Sequence, residues 1–317
     1  MSTEQPVHRG PHDLPLGEWL TSTLADGWAP EPTVAHRAVD GAAGAALRHR
    51  AQLAARLPHA ALVIPAGAAP KRVNDTYYGF RPSSAYAYLT GDQAEQGVLV
   101  MAGGAATLYL PQQTGPGTVE YFTDRRTGGV WVGGVPGLVT TEERLELIVR
   151  PRSELAGALA KLDDPRLLRG FDAEVDALLP AAQDGGLANA VDDLRAIKDA
   201  WEIERLTEAC AATARGFADV VRELPAVLAG GGRRAERWLE GTFWRRARYE
   251  GNEVGYSSVV AAGANTAAAI ERVAAVHRAR QQDQIRPLAQ QTAFDFGALR
   301  KTAHGELLLF EIVEQRA

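Results

Sequence analysis

The hydrophobic and polar positions alternate between two rhythms along the chain. Val34–Leu57 is rich in Ala, Arg and Leu with few breakers and predicts a helix. Ala61–Pro65 switches to a compact apolar run closed by Pro and Gly, the pattern of a buried strand and turn. Gln96–Met101 and Ala106–Leu110 are apolar runs separated by Gly103-Gly104, which predicts two strands joined by a glycine turn. Glu142–Leu147 and Ser153–Leu162 read as short helices, Arg166–Phe171 as a strand, and Pro180–Gly186 as a turn-rich domain edge. Helices interleaved with buried strands predict α/β layering for residues 34–186, preceded by an arm, residues 1–33, with one amphipathic stretch at Leu16–Leu24.

Beyond residue 187 the rhythm is helical. Val191, Leu194, Ile197, Trp201, Ile203, Leu206 and Ala209 recur three or four apart, predicting one long helix over Ala190–Leu228 with Cys210 on its apolar side as a core residue. Gly230-Gly231-Gly232 stops it, a second helix follows over Arg234–Arg248, and Gly251-Asn252 ends that one. The pair predicts a helical hairpin. Val254–Ala262 then reads as a strand, and Ala267–Gln284 as an amphipathic helix, with Ile270, Val273 and Val276 at helical spacing.

Composition narrows the partners. The 317 residues are 46% hydrophobic and 23% charged, an ordinary globular mixture, and the net charge of -5 gives no electrostatic footprint for nucleic acid or an anionic membrane. Apolar runs are too short for a membrane span of ~20 residues. A single cysteine cannot form an internal disulfide, and residues Met1–Asp13 lack the apolar core of a secretory signal, so a cytoplasmic location is expected.

Lys71–Gly91 is the most distinctive stretch. Arg72, Asn74, Asp75, Arg81 and Ser84 stand among Tyr77, Tyr78, Tyr86 and Tyr88, a set able to hold a polar ligand by charge and ring faces, or to satisfy the buried backbone of a structural loop. Asn74-Asp75, Phe80-Arg81, Ser84 and Tyr88-Leu89-Thr90-Gly91 resemble the N-terminal domain of the Xaa-Pro aminopeptidases, the aminopeptidase P branch of the creatinase-like metallohydrolases. The resemblance resumes at Leu194–Leu206, Thr213–Val221, Glu240–Arg248, Glu250–Tyr256 and Ala261–Gly263.

The resemblance implies a creatinase-type N-terminal α/β domain, then an incomplete α+β "pita-bread" domain starting over residues 187–263, with 264–317 an unmatched tail. In the family that second domain holds two manganese ions through two Asp, one His and two Glu. Water bridging two hard cations is acidic enough to attack the peptide bond before proline. It also implies a homo-oligomer built through the N-terminal domain, with Arg72, Asn74, Arg81 and Tyr88 as substrate or oligomer contacts and proline-containing peptides as partners only where a complete site forms.

The ligands themselves are not recognisable. Ile270 stands about where the family places a catalytic His, and Glu311, in Gly305–Glu311, echoes the first metal Asp, with the remaining ligands expected beyond Ala317. One carboxylate cannot assemble a hard-cation site, so no metal is expected in this chain alone. His8, His12, His36, His49, His59, His277 and His304 form no His-Glu-x-x-His pattern and read as surface residues, and Gly230–Arg234 lacks the Gly-Lys-Ser/Thr of a phosphate loop. No Gly-x-Ser-x-Gly elbow is present. The alternatives are a non-catalytic relative, an enzyme with unrecognised ligands in the tail, a binding or oligomerisation module, or a chain rearranged near Ala264.

Overall fold

The computed structural model describes residues 18–28, 39–74, 76–113, 115–230, 234–251, 253–262 and 309–311. The chain forms two compact units, Met1–Trp201 and Glu202–Ala317.

In the first unit a short helix α1 (Glu18–Ala25) precedes α2 (Ala42–Arg56), strand β1 (Leu62–Pro65), the hairpin β2 (Lys71–Val73) and β3 (Thr76–Tyr77), and helix α3 (Ser84–Thr90). Next come β4 (Val98–Ala102), β5 (Ala105–Leu110), α4 (Val119–Thr123), α5 (Gly129–Val132), α6 (Leu138–Leu145) and β6 (Ile148–Pro151). Helix α7 (Leu155–Leu159), β7 (Arg166–Leu167), α8 (Ala173–Leu178) and α9 (Leu187–Ala196) complete the unit.

Five strands make one sheet in the order β6-β5-β4-β1-β7. The β1–β4 and β4–β5 pairs are antiparallel, whereas β5–β6 and β1–β7 are parallel. Gly103 and Gly104, at φ 58° and 78°, form the two-residue turn between β4 and β5, where both central positions need positive φ. Side-chain alternation then sorts the core into two layers. Leu62, Ile64, Leu99, Met101, Leu108 and Leu110 face α2, α3 and α9. Val63, Val98, Val100 and Tyr109 face α7 and α8 through Leu155, Leu159 and Val175. The sheet is covered on both faces, which is why β1 reads as an unbroken apolar run.

Several boundaries move. The helix predicted from Val34 starts at Ala42, because Gly41 adopts φ 76° and its Cα lies against the Trp201 indole, leaving no room for a Cβ. The predicted helix over Ala190–Leu228 is two helices, α9 and α10 (Ala200–Ala229), separated by an extended Ile197. Asp199 is tied to Arg48 and the Trp201 indole donates to the Asp40 carbonyl, contacts that turn the chain. Helix α9 buries Leu187, Val191 and Leu194 in the first unit's core, so that unit extends past the edge expected at Pro180–Gly186. The strand expected over Arg166–Phe171 is only Arg166–Leu167, and the helix expected over Glu142–Leu147 is shifted to Leu138–Leu145, ending where Glu146 turns to φ 49°.

The second unit contains most of α10, then α11 (Ala235–Glu250), and the antiparallel pair β8 (Val259–Ala261) and β9 (Leu309–Glu311). A Cβ at Gly216 would stand 2.8 Å from the Phe243 ring, so the Phe243 side chain packs directly on the α10 backbone there. Asp219 and Arg246 pair at 2.7 Å across the same seam, and Arg215 pairs with Glu250. Cys210 is exposed, not core: the buried side of α10 is the one bearing Gly216, Asp219 and Val220. Strand β8 is shorter than the Val254–Ala262 expected. The helix expected over Ala267–Gln284 lies outside the described residues.

Candidate functional site

The distinctive stretch of the sequence folds into two parts with different fates. Its second part is α3, seven residues that are capped at both ends. Ser83 accepts a hydrogen bond from the Tyr86 amide and donates through its hydroxyl to the Pro65 carbonyl at 2.7 Å, fastening the helix start to the end of β1. At the other end Gly91 takes φ 70°, and its N–H donates to Ala87. Helix α2 satisfies two further carbonyls: the Arg50 guanidinium donates to Leu89 O at 2.7 Å and His49 Nδ1 to Tyr88 O at 2.9 Å.

Below α3 lies a closed polar knot. The Tyr86 hydroxyl, fully buried, donates to Asp92 Oδ2 at 2.8 Å, and Ala94 N donates to the same oxygen at 3.0 Å. Arg144 pairs with Asp92 Oδ1 at 2.7 Å, so a carboxylate with 5% side-chain exposure has its counter-charge. Burial first, then the Asp92 charge, pushes the Tyr86 phenol well above its ordinary range and keeps it a proton donor.

The first part, β2 and β3, projects from this base. Arg126 holds its root: the guanidinium donates to Ala69 O at 2.6 Å, lies 4.4 Å from the Tyr77 ring centre and pairs with Glu95 at 3.6 Å. Arg72 on β2 and Asn74, at φ 51° in the turn, are exposed, and the Arg72 guanidinium lies 6.0 Å from the Tyr78 ring centre. Arg81, on the connection into α3, is also exposed. Tyr88 differs from these three: its ring stacks on His49 at 3.8 Å with 7° between the planes, inside the α2–α3 packing. Asp75 lies outside the described residues.

His49 is buried, not a surface residue, and its Nε2 lies 3.3 Å from Asp199 Oδ2. The signal was available in the sequence, since His49 falls four residues after Ala45 and four before Leu53 on the buried face of α2. The aspartate and arginine of the polar knot had no such local signal.

In the second unit the described carboxylates near the α10–α11 seam already have partners. Asp219 is held by Arg222 and Arg246, Glu250 by Arg215 and Arg246, and Glu236 accepts the Ala262 amide. Hydrogen bonds from Arg246 and then Arg222 hold the Asp219 carboxyl down at about 2. Oxygens committed to guanidinium groups are not available to a hard cation. Strand β9 brings Glu311 opposite Val259.

Comparison with known proteins places this geometry. Residues 46–164 match the family model for the aminopeptidase P N-terminal domain. Xaa-Pro aminopeptidase 1 of Streptomyces coelicolor is 41% identical over 272 residues, covering 82% of this chain and 54% of the relative, with the same figures for the Streptomyces lividans protein. Xaa-Pro aminopeptidase 2 of Streptomyces coelicolor is 39% identical over 257 residues. Among solved structures, aminopeptidase P from Escherichia coli in its low pH form superposes with a TM-score of 0.56 at 21% identity, over 70% of this chain and 53% of that one. The chain thus spans about half the length of the curated relatives it matches. Among the described residues no helix is long and apolar enough to cross a membrane. With the matched domain built around the capped α3 and its polar knot, residues 46–164 match the aminopeptidase P N-terminal domain, and the chain is similar over 82% of its length to about half of an Xaa-Pro aminopeptidase.

Proposed function

We propose that these 317 residues supply the N-terminal domain and the opening of the catalytic domain of an Xaa-Pro aminopeptidase, and that by themselves they do not catalyse removal of a residue preceding proline. The observation that carries the assignment is the 41% identity to Xaa-Pro aminopeptidase 1 over 272 residues. The catalytic half of the proposal rests on donor chemistry. Ile270 stands about where the resemblance calls for His, and Glu311 only echoes the place of the first metal Asp. Along the α10–α11 seam, Asp219 and Glu250 are engaged by arginines and Glu236 by the Ala262 amide, and these three carboxylates do not fit a pair of manganese ions.

Within the N-terminal domain, exposed Arg72, Asn74 and Arg81 are the proposed contact set, and a second copy of the chain is the proposed partner, with proline-containing peptides engaged only where a complete site forms. Tyr88 is proposed as a positioning residue that sets α3 against α2. The net charge of -5 supports neither nucleic acid nor an anionic membrane as a partner.

Hydrolysis of a short Xaa-Pro peptide by the folded chain, with excess manganese and a chelated control, tests this. The expected result is no metal-dependent turnover. Turnover abolished by chelator would refute it.

A further inference from the structure

The outward side of α11 carries charge of one sign among exposed rings. On the helical wheel Arg237, Trp238, Trp244, Arg245, Arg248 and Tyr249 share a sector about two-fifths of a turn wide and ~18 Å long. All six are exposed. Phe243 and Arg246, which meet α10, lie outside the sector. The glutamates of the helix fall outside it as well. Glu236 accepts the Ala262 amide, Glu250 is held by Arg215 and Arg246, and Glu240 is half-buried beyond Trp244.

Among the described residues neither Arg237 nor Arg245 forms an ion pair, in contrast to Arg215, Arg222 and Arg246 of the seam. Trp238 is 60% exposed, Trp244 38% and Tyr249 82%. The two indoles are nevertheless fixed in place, since Trp238 Nε1 donates to Glu223 and Trp244 Nε1 to Ser258, each at 3.1 Å. With their N–H groups engaged inside the unit, these rings offer apolar surface that is already ordered before anything binds.

A sector of cations and rings with no carboxylate in it complements an anionic occupant that carries apolar groups between its charges. The chain as a whole, at a net charge of -5, repels a long polyanion with the charge density of nucleic acid, whereas a short acidic segment meets only this face. Arg, Trp and Tyr are also the residues that anchor protein–protein contacts. We propose that this face of α11 docks an acidic polypeptide segment whose carboxylates alternate with large apolar side chains. Arg237 and Arg245 take the carboxylates, and the Trp238, Trp244 and Tyr249 rings take the apolar groups. The proposal does not depend on the aminopeptidase reading.

The test is fluorescence anisotropy of the full chain with a dye-labelled peptide of about eight residues, Asp and Glu alternating with Leu and Phe, long enough to span the face at about 3.3 Å per extended residue. Binding with a Kd below about 1 mM is expected, and the Asn and Gln analogue of the peptide should bind about tenfold more weakly or worse. Arg237→Glu with Arg245→Glu should weaken the acidic peptide by about tenfold or more. Both arginines are exposed, so this variant should keep the parent's helical content and melting. Lys161→Glu with Lys198→Glu makes the same change of charge at exposed positions elsewhere and should bind as the parent does. No binding, equal binding of the neutral peptide, or an equal loss in the lysine variant would overturn the proposal. So would oligothymidine or a phosphatidylserine vesicle that binds more tightly than the peptide and is released by Arg237→Glu with Arg245→Glu, which would assign the face to nucleic acid or to a membrane.

Discussion

Replacing Tyr86 by Phe removes one oxygen from the polar knot and leaves the rest in place. The ring is fully buried, and Phe fills nearly the same volume, so the change isolates the 2.8 Å hydrogen bond to Asp92 Oδ2. A bond to a charged acceptor contributes about 1.5–3 kcal/mol. Asp92 keeps the Ala94 amide and Arg144, so the carboxylate is not orphaned and the loss should stay in that range. Arg144→Met takes the counter-charge instead. It leaves a carboxylate with 5% exposure uncompensated, which costs about 3–5 kcal/mol, at the lower end here because Arg144 itself is 20% exposed and water can enter. For a unit of roughly 200 residues, Tyr86→Phe should lower the melting temperature by about 3–12 °C. Urea titrations followed by circular dichroism, with unchanged m values, would report both losses. A cost below about 0.5 kcal/mol for Tyr86→Phe, or a smaller cost for Arg144→Met than for Tyr86→Phe, would refute the closed network.

Gly97→Ala should cost more than Tyr86→Phe, about 3 kcal/mol or above, because its Cβ would stand 2.1 Å from the Tyr86 hydroxyl and 2.7 Å from the ring carbon bearing it; a melt at or above the parent's would sink this. The Asp219 carboxyl, depressed from 3.8 to about 2, stabilises the α10–α11 hairpin fully above pH 4 and loses that contribution as pH falls toward 2. An acid titration of helical signal should therefore show a step in that window that Asp219→Asn lacks, and a step centred above pH 5 would contradict the assignment. Arg72→Ala combined with Arg81→Ala should leave melting within about 0.5 kcal/mol of the parent, since both are exposed, while reducing self-association in sedimentation velocity; unchanged self-association would reject the contact set.

What the sequence made legible was local. The Gly103-Gly104 turn and the apolar run of β1 were readable because each is specified by neighbouring residues, φ freedom in one case and double-sided burial in the other. The break between α9 and α10 was not, because the apolar spacing runs straight through Ile197 and the turn is imposed by Arg48 and Asp40, some 150 residues earlier in the chain. Cys210 was misplaced for a related reason: α10 has two apolar faces, and periodicity alone does not say which one α11 covers. Among the expected contact residues, Arg72, Asn74 and Arg81 are exposed, whereas the Tyr88 ring stacks on His49, a partner that a different helix supplies and that the local pattern does not announce.

The parallel pairing of β1 with β7 also sets how this unit must come together. Leu62 meets Arg166, about a hundred residues downstream, whereas β4 and β5 close through two glycines. Loop-closure entropy makes the first event slow and the second fast, so the β4–β5 hairpin can form early and β7 adds last. During synthesis β1 then waits, with one long edge unpaired, until the ribosome has released the segment that carries its neighbour. Over that interval α2, folded from local contacts, is the element available to shield its apolar side chains.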